Sequence, residues 1–472
     1  MSCPQLAANL AELKIHNMTR LANFRFIHFS ELSTRVFWIG LLAAVYVAVL
    51  PMSHTVALRN MVFFALSMCL AWQFLKTRPA VQWVLPVALW VIYILFFPVI
   101  ADSPVTALEN LLGQWGRGAL AMLVGAGVAS IFYSKEKGAV FYLGLASTFS
   151  ILLHLVLFGL KAWTTWSIPW GYWGRETHHA DLGYAAGQAI VLLAAATIAG
   201  NRRLRPLAVA LIFACLLSTA LAQSRAGLAF GLIGGVLVFG CAYLVRANNR
   251  RINLLAGLIG LMLAGVAVLG VAVKEDVRWR NMASQLAAGF QGDAIQIQCE
   301  GTSSIESKII SQYGSGEQAQ QIISSVSDGD GARMVVLRAG LVLALKHPWG
   351  SDGSRHAFQK LLMEECASPV IQMAHTHNGW LDTVLALGWI GAALYMGVFL
   401  FFLKQGLTYL RRERQLNEWA IVLVVLSIFW ILRGFTDSIF RDHMLEMQGF
   451  LLAYASVALN LQTQITIQQR KS

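Results

Sequence analysis

Two histidines close the polar stretch 274–379 of this chain, in the motif His375-Thr376-His377-Asn378. A neutral imidazole, with an ordinary pKa of about 6.5, can take a proton from a hydroxyl group while that group forms a new bond. An apolar run follows directly, so both rings are expected at the outer mouth of a membrane-spanning helix. We predict His377 as a general base, His375 as a substrate-binding residue and Asn378 as the residue that orients the histidine. The simpler alternative for either ring is a hydrogen bond to loop backbone.

An arginine marks a second unusual position. Gln223-Ser224-Arg225 separates two apolar runs with too few residues for a conventional loop, which predicts a tight hairpin tip on the outer side. An arginine at membrane depth costs about 3 kcal/mol on insertion scales and needs a reason. Its planar guanidinium binds phosphate oxygens in pairs and stays charged. We predict Arg225 as a catalytic clamp on a diphosphate, with Ser224 as a substrate-binding neighbour.

Three more arginines on the outer side are predicted to bind substrate, namely Arg175, Arg333 and Arg433. Each of them, taken singly, has a simpler alternative. A long basic side chain can reach a lipid headgroup or pair with a nearby Asp or Glu.

A metal site is the competing chemistry. His178, His179, Asp181, His375 and His377 share the outer side and offer nitrogen and oxygen ligands. Their spacing matches no zinc motif, and adjacent residues such as His178 and His179 diverge by about 100° on a helix. We therefore predict neither a metal nor any other cofactor.

The elements that position these residues are membrane helices. The chain is 57% hydrophobic and 13% charged, with a mean hydropathy of +0.59, so its preferred solvent is lipid. An apolar run near the length of a bilayer crossing satisfies its backbone hydrogen bonds only as a helix. The predicted spans are 36–52, 60–75, 80–99, 115–133, 139–160, 180–200, 206–223, 226–245, 252–273, 380–403, 419–435 and 444–461.

Basic residues fall in alternate loops, which places those loops and both termini in the cytoplasm. The predicted organisation is a cytoplasmic segment 1–35, nine helices over 36–273, a periplasmic loop 274–379, three helices over 380–461 and a cytoplasmic tail 462–472. No cleavable signal peptide is evident.

Two features are predicted within the outer loop. Ser324 to Gly331 reads as an exposed turn, and Arg333 to His347 as an interfacial helix that Pro348 stops. Such a helix could line a cavity at membrane level. It could equally be packed on the bundle.

Cys299 and Cys366 both lie in this loop and are the disulfide candidates, because a periplasm is oxidising. The other four cysteines fall in or near spans or in the cytoplasm. Sequence spacing alone does not show whether the two loop cysteines come close enough to bond.

The net charge of +12 follows largely from this topology, since basic loops face anionic lipid. No basic stripe interleaved with aromatic residues occurs, so we predict no binding to nucleic acid. Membrane lipids are expected partners, and no feature of the sequence sets the oligomeric state.

Several motifs together resemble the O-antigen ligase/polymerase family of bacterial envelope enzymes. They are the Gln-Ser224-Arg225 hairpin, the large outer loop before three final spans, and His-Thr-His377-Asn378 before a helix that contains Gly388. Weaker support comes from Arg333, His347-Pro348-Trp349-Gly350, Leu432-Arg433-Gly434 and Thr436-Asp437-Ser438.

The resemblance implies an all-α polytopic membrane protein with a C-type glycosyltransferase fold and about twelve transmembrane helices. Its loop would contain short helices, and its active site would face the periplasm from the bacterial inner membrane. The donor would be an undecaprenyl-diphosphate-linked O-antigen. The acceptor would be a sugar hydroxyl of lipid A core, and transfer would be inverting and metal-independent. No P-loop or Rossmann glycine signature argues for a nucleotide-sugar domain.

Two alternatives stay open at this point. The close one is an O-antigen polymerase or a pilin O-oligosaccharyltransferase, which shares the fold and donor and differs only in acceptor. The distant one is an ion-coupled transporter. Paired inverted halves with broken helices at the midplane are not visible, and the unusual charges cluster at the outer interface.

Overall fold

The computed structural model describes residues 34–76, 84–132, 138–174, 178–200, 202–245, 251–276, 278–327, 329–371, 373–413 and 416–471. All regular elements within these ranges are helical, which confirms the predicted all-α class. Up to the Ser224 hairpin the α-helices are α1 (Thr34–Val49), α2 (Val56–Lys76), α3 (Val84–Ile100), α4 (Pro104–Asn110), α5 (Gly116–Phe132), α6 (Ala139–Ser147), α7 (Phe149–Thr165), α8 (His179–Ala199) and α9 (Arg205–Leu221).

After the hairpin come α10 (Arg225–Val245), α11 (Arg251–Glu275), α12 (Arg278–Gly289), α13 (Ala294–Glu300), α14 (Ser303–Tyr313), α15 (Glu317–Ser327), α16 (Asp330–Lys346), α17 (Ala357–Glu365), α18 (Gly379–Glu413), α19 (Glu418–Thr436) and α20 (Asp442–Lys471). A π-helical turn, Leu111–Trp115, joins α4 to α5, and a 3-10 turn, Arg202–Leu204, precedes α9.

The chain is a multi-pass membrane protein. Eight helical stretches in the described ranges have the length and hydropathy to cross a bilayer: Pro104–Phe132, Ala139–Thr165, His179–Ala199, Arg225–Val245, Leu255–Glu275, Gly379–Glu413, Glu418–Thr436 and Asp442–Ile465. Four shorter apolar helices accompany them: Val36–Val49, Val56–Ala71, Leu85–Ile100 and Arg205–Leu221. Every predicted run therefore coincides with a helix, but length and hydropathy support eight spans and leave the count of twelve a prediction.

Helix α8 forms the centre of the bundle and packs against α6, α9, α10 and α19. Its N-terminal end lies very close to α10, because a Cβ on Gly183 would stand 2.9 Å from the Cα of Gly227. Small residues allow helix backbones to approach in this way. The approach brings the hairpin before α10 against the first turn of α8.

The predicted helix over Arg333 to His347 is confirmed as α16, which ends before Pro348. Its Val335, Val336 and Leu343 are fully buried, and the helix packs against α12, α13, α15 and α18. The predicted exposed turn before it is wrong in part. Residues 324–327 end α15, and the Ser325 and Asp330 side chains are buried against neighbouring helices.

Helix α18 contains a break that the predicted span 380–403 did not include. Gly388 has a φ of 74°, and a Cβ there would stand 2.6 Å from the carbonyl carbon of Trp349. The Trp389 N–H donates to the Pro348 carbonyl at 3.1 Å. The Pro348-Trp349-Gly350 segment thus docks on the break in α18, where only glycine fits both the backbone angle and the close approach.

Cys299 and Cys366 form a disulfide, with Cα atoms 5.8 Å apart, so the predicted pairing is confirmed. It ties the end of α13 to the end of α17, and the Ile371 N–H donates to the Gln298 carbonyl beside it. The cross-link closes a loop with a sequence separation of 67 residues. It therefore holds α13 and α17 together shortly before the histidine motif in the chain.

Replacing Cys299 with serine is expected to lower stability by about 2–4 kcal/mol, because the unfolded loop regains conformational entropy. The measurement is the thermal unfolding midpoint of purified protein in detergent, with the free cysteine variant Cys241→Ser as the control. Equal midpoints for Cys299→Ser and wild type would contradict the prediction.

Candidate functional site

His377 sits in a tight turn at the start of α18. Its φ is 54°, in the left-handed region that a non-glycine residue rarely occupies. The Thr376 N–H and hydroxyl both donate to Oδ1 of Asp382, at 2.9 and 2.7 Å, and the Asn378 N–H donates to the Thr376 hydroxyl at 3.2 Å. These bonds hold the turn and offset the cost of the backbone conformation, a pattern found at functional sites.

Asp437, which directly follows α19, is the carboxylate next to this histidine. Its Oδ1 lies 3.9 Å from Nδ1 of His377, an ion-pair distance longer than a direct hydrogen bond. The Tyr184 hydroxyl donates to Oδ2 at 2.5 Å, and Nη2 of Arg433 donates to the same oxygen at 3.3 Å. The Gly379 N–H donates to the Asp437 backbone carbonyl at 2.9 Å. The start of α18 and the end of α19 are thereby fixed to each other.

Asp437 is ionised in this setting. Burial by itself would raise the pKa of the carboxyl, but His377, the Arg433 guanidinium and the Tyr184 hydroxyl outweigh burial and hold the pKa well below its ordinary value. A permanent carboxylate facing Nδ1 favours the imidazole tautomer with its proton on that nitrogen. Nε2 of His377 is then left as the proton-accepting atom.

His375 is positioned differently, although its ring lies 4.5 Å from that of His377. Nη1 of Arg441 donates to Nδ1 of His375 at 3.1 Å, so the proton of the neutral ring is on Nε2. Burial first, and then the Arg441 guanidinium, lower the pKa of His375 to about 3. His375 is therefore neutral at physiological pH, and its one accepting nitrogen, Nδ1, is already bonded to Arg441.

Stability should fall as the pH is lowered from about 6.5 toward 3, because the unfolded chain binds a proton at His375 in this window and the folded chain does not. The measurement is the unfolding midpoint between pH 7.5 and pH 4.5, with His375→Gln as the comparison. A His375→Gln variant that loses as much stability on acidification as wild type would contradict this assignment.

Arg225 begins α10, after a hairpin of only Ala222, Gln223 and Ser224, so the predicted tight tip is confirmed. Its Nη1 and Nη2 each donate to one Asp330 oxygen at 2.8 Å, and its guanidinium lies 5.9 Å from the Trp279 ring centroid. The two side chains of the ion pair are 15% and 9% exposed. The hairpin is thus fixed to the first turn of α16.

Arg333 lies one turn further along α16. Its Nη1 is 3.8 Å from Oδ1 of Asp330, and its side chain is 46% exposed. Asp330 therefore gathers two guanidiniums, of which Arg333 has the more accessible one. Such a pair can stabilise a phosphate group.

Two packing contacts connect this arginine pair to His377. Ser224 and Gly227 pack on Gly183, which precedes the Tyr184 that donates to Asp437. Further along α16, a Cβ on Gly340 would stand 2.6 Å from the Thr376 side chain. The hairpin and the histidine turn are distant in sequence, but α8 and α16 bring them to one side of the bundle.

Three predicted binding residues are engaged in contacts within the fold, and two of them, Ser224 and Arg433, are buried. Oδ1 of Asn378 accepts from the Leu381 N–H at 2.9 Å and Nδ2 donates to the Phe435 carbonyl, so Asn378 caps α18 and does not orient the histidine. Ser224 is 5% exposed, and Arg433 is 1% exposed, stacked over Tyr184 at 4.6 Å. Arg175 lies outside the described residues.

Tyr184 and Asp330 were not identified from the sequence, and Asp437 entered only within a motif. Tyr184 is one tyrosine in an apolar span, and Asp330 follows a stretch that reads as a turn, so neither carries a local signal. The metal alternative finds no support in the described part of the chain, where no three His, Cys, Asp or Glu side chains are grouped to hold a metal ion.

Comparison with known proteins finds one matching family. Residues 207–396 match a family model described as O-antigen ligase, and no curated protein matches the chain. The matched range includes Arg225, Arg333 and His377 and ends before Asp437. Members of this family transfer glycosyl groups from lipid-linked donors to lipid acceptors in the membrane. Over residues 207–396 this chain therefore carries a domain that matches the O-antigen ligase family.

Proposed function

We propose that this protein transfers an O-antigen glycan from undecaprenyl diphosphate to a sugar hydroxyl of lipid A core, at the periplasmic face of the bacterial inner membrane. The observation that carries the proposal is the pairing of His377 with the ionised Asp437. A histidine backed by a carboxylate is a general base for a hydroxyl nucleophile. The two guanidiniums gathered by Asp330 supply the charge that a diphosphate leaving group needs.

The proposed reaction is a direct displacement. Nε2 of His377 takes the proton of the acceptor hydroxyl while its oxygen bonds to the anomeric carbon of the donor glycan. The bond from that carbon to the diphosphate breaks, and undecaprenyl diphosphate leaves with the electron pair. Attack opposite the leaving group inverts the anomeric centre. Asp437 stays ionised and stabilises the imidazolium, as a carboxylate does in other His–Asp pairs.

The arginines divide the work on the leaving group. Arg333 is the more exposed and is proposed to contact the diphosphate directly. Arg225 donates both Nη groups to Asp330, so we propose that it supplies positive charge and holds the first turn of α16 in place. Since arginine stays charged at any working pH, this stabilisation requires no metal ion.

The periplasmic location is supported by the disulfide between Cys299 and Cys366. Disulfides persist in oxidising compartments, and this one lies in the loop segment that leads into the histidine motif. The alternation of basic loops along the sequence assigns the same side to this segment.

The test combines purified protein with undecaprenyl-diphosphate O-antigen and lipid A core, with and without a chelator. Formation of a chelator-resistant glycan ladder on lipid A core, lost in His377→Ala, is the expected result. Lengthening of the undecaprenyl-linked glycan with no product on the core would instead make the protein a polymerase. Loss of activity with chelator would overturn the metal-independent mechanism.

Replacing Asp437 with asparagine is expected to lower kcat by about 10²–10⁴-fold, because the His377 tautomer is no longer fixed and the imidazolium loses its counter-charge. Initial rates at saturating substrates provide the measurement. The control is Asp102→Asn, which changes an exposed carboxylate between α3 and α4. Equal rates for Asp437→Asn and wild type would remove the carboxylate from the mechanism.

A further inference from the structure

A second group of arginines lies beside the histidine turn, away from the Arg225 hairpin. It consists of Arg59 at the start of α2, Arg117 in the first turn of α5, Arg355 before α17 and Arg441 before α20. His443 is within electrostatic reach of Arg59, Arg117 and Arg441. Four chain segments thus bring guanidiniums to one region.

Carboxylates in this region neutralise only part of the charge. Glu446, 2% exposed, pairs with Arg117 at 2.7 Å and accepts from the Tyr46 hydroxyl at 2.7 Å. Asp442 accepts two bonds from Nη1 of Arg355, at 2.8 and 2.9 Å. A third carboxylate, Asp181, lies 3.9 Å from His443.

Arg59 and Arg441 are left without an ion pair among the described residues. Arg59 is 6% exposed, its Nη1 reaches only the Leu50 carbonyl at 3.5 Å, and its Nε has no partner in the described structure. Arg441 donates to the neutral His375. Glu446 is within electrostatic reach of Arg59 but is already paired with Arg117, so this buried guanidinium has no carboxylate of its own. That arrangement favours an anion at this place.

A cavity adjoins these side chains. It is small and partly open to solvent, and Arg355, Arg441, Gln114, Asp382 and Ser438 contribute to its lining. The Ser438 hydroxyl lies within reach of the Asp382 carboxylate in this lining. Two guanidiniums, one carboxylate and a hydroxyl therefore line the space, and the guanidiniums suit a phosphate group.

We propose that this cavity, with Arg355 and Arg441 in its wall and Arg59 behind them, binds a phosphate group on the headgroup of the acceptor glycolipid. The inference rests on the proposed function, because it names the feature by which the acceptor is recognised. A chain of side-chain contacts joins the two arginine groups, and His377 stands in the middle of it. Tyr184 and Asp437 lead from it toward the hairpin, and His375 leads to Arg441.

Separate anion sites on either side of the base give each substrate its own anchor. The donor diphosphate would be held at Arg333 and Arg225, and the acceptor phosphate at Arg355 and Arg441. The acceptor hydroxyl would then be delivered to His377 from the α20 side. Such anchoring at a distance from the reacting atoms orients the hydroxyl for attack.

The test removes the arginine and the acceptor phosphate separately and together, and compares the effects on KM. Transfer is measured with phosphorylated lipid A core and with the same acceptor after enzymatic dephosphorylation, for wild type, Arg355→Gln and Arg441→Gln. We expect each variant to raise KM for the phosphorylated acceptor about 10-fold or more. Neither should raise KM further once the phosphate is gone. Equal effects on both acceptors, or an effect on the donor KM alone, would overturn the proposal.

Matched controls separate charge from fold. Arg411→Gln removes an exposed arginine at the other end of α18 and should leave both KM values unchanged. Arg355 is exposed, so its substitution tests the site even if Arg441→Gln unfolds. Unfolding midpoints of all variants are recorded in parallel.

Direct binding distinguishes failure of this inference from failure of the proposed function. Phosphorylated lipid A core is titrated into detergent-solubilised protein without donor, with phosphatidylglycerol as competitor. If the protein binds phosphorylated lipid A core in a charge-dependent way but transfers no glycan, the phosphate site is supported and the ligase function is contradicted. If glycan is transferred but neither Arg355→Gln nor Arg441→Gln weakens binding of the acceptor, the ligase function is supported and the phosphate site is contradicted. Competition by equimolar phosphatidylglycerol would overturn specificity for the acceptor.

Discussion

Replacing His377 with alanine is expected to slow glycan transfer by about 10²–10⁴-fold, because the hydroxyl nucleophile loses its proton acceptor. His377→Asn is the sharper variant, since asparagine tolerates the left-handed backbone at this position and still offers no comparable base. Initial rates at saturating donor and acceptor measure the loss. The effect should appear in kcat, because the substrate anchors are elsewhere in the site.

The control is His54→Ala, which removes an exposed histidine between α1 and α2. Added imidazole should restore part of the rate to His377→Ala and none to Asp437→Asn, since only the first variant lacks the ring. Full activity in His377→Asn would remove this residue from the base role. Rescue by imidazole would support proton transfer over a purely structural function.

Replacing Arg225 with alanine is expected to have two effects that separate in a second variant. Asp330, a largely buried carboxylate, loses both of its hydrogen bonds from Arg225 and keeps only Arg333 at 3.8 Å, which costs about 3 kcal/mol. Transfer should also fall by about 10²–10³-fold, because the leaving diphosphate loses a nearby positive charge. Unfolding midpoints and initial rates are measured on the same preparations.

The double variant Arg225→Ala/Asp330→Ala decides between the two roles. Removing the Asp330 carboxylate should restore much of the stability. The transfer rate should stay low, because the positive charge of Arg225 is still absent. Recovery of transfer together with stability would show that Arg225 acts only through the fold. Arg225→Lys retains the charge but cannot donate to both Asp330 oxygens in the same geometry. Its transfer rate should therefore lie between those of wild type and Arg225→Ala.

The site divides into residues with a local signal and residues without one. His377 stands in a motif where water meets a helix, and Arg225 interrupts two apolar runs, so both are unusual at their own positions. Asp330 and Tyr184 are ordinary residues that acquire a role from a partner distant in sequence. Tyr184 and Asp437 are 253 positions apart and share a 2.5 Å hydrogen bond. No periodicity within either helix encodes that pairing.

Burial also reversed the expected roles of some polar residues. An arginine near a helix end predicts an accessible cation, and Arg441 fits that expectation in part. Arg433 has the same local context but is 1% exposed, because Tyr184 and Phe230 pack over its guanidinium. The amide of Asn378 is similarly consumed in capping α18. Whether a polar side chain faces the site or the core depends on neighbours that other helices supply.

Local sequence patterns predict the all-helical membrane class, the tight hairpin at Ser224, the helix that ends before Pro348 and the two motifs to which we assign the proposed chemistry. These follow from hydropathy and from short-range backbone restrictions, which act within a few residues. Tertiary packing is what places Asp437 next to Nδ1 of His377, Asp330 against Arg225, and Arg355 and Arg441 in the lining of one cavity. Such contacts depend on which helix faces pack together. That packing is a property of the whole bundle, because each helix buries its surface against several others at once.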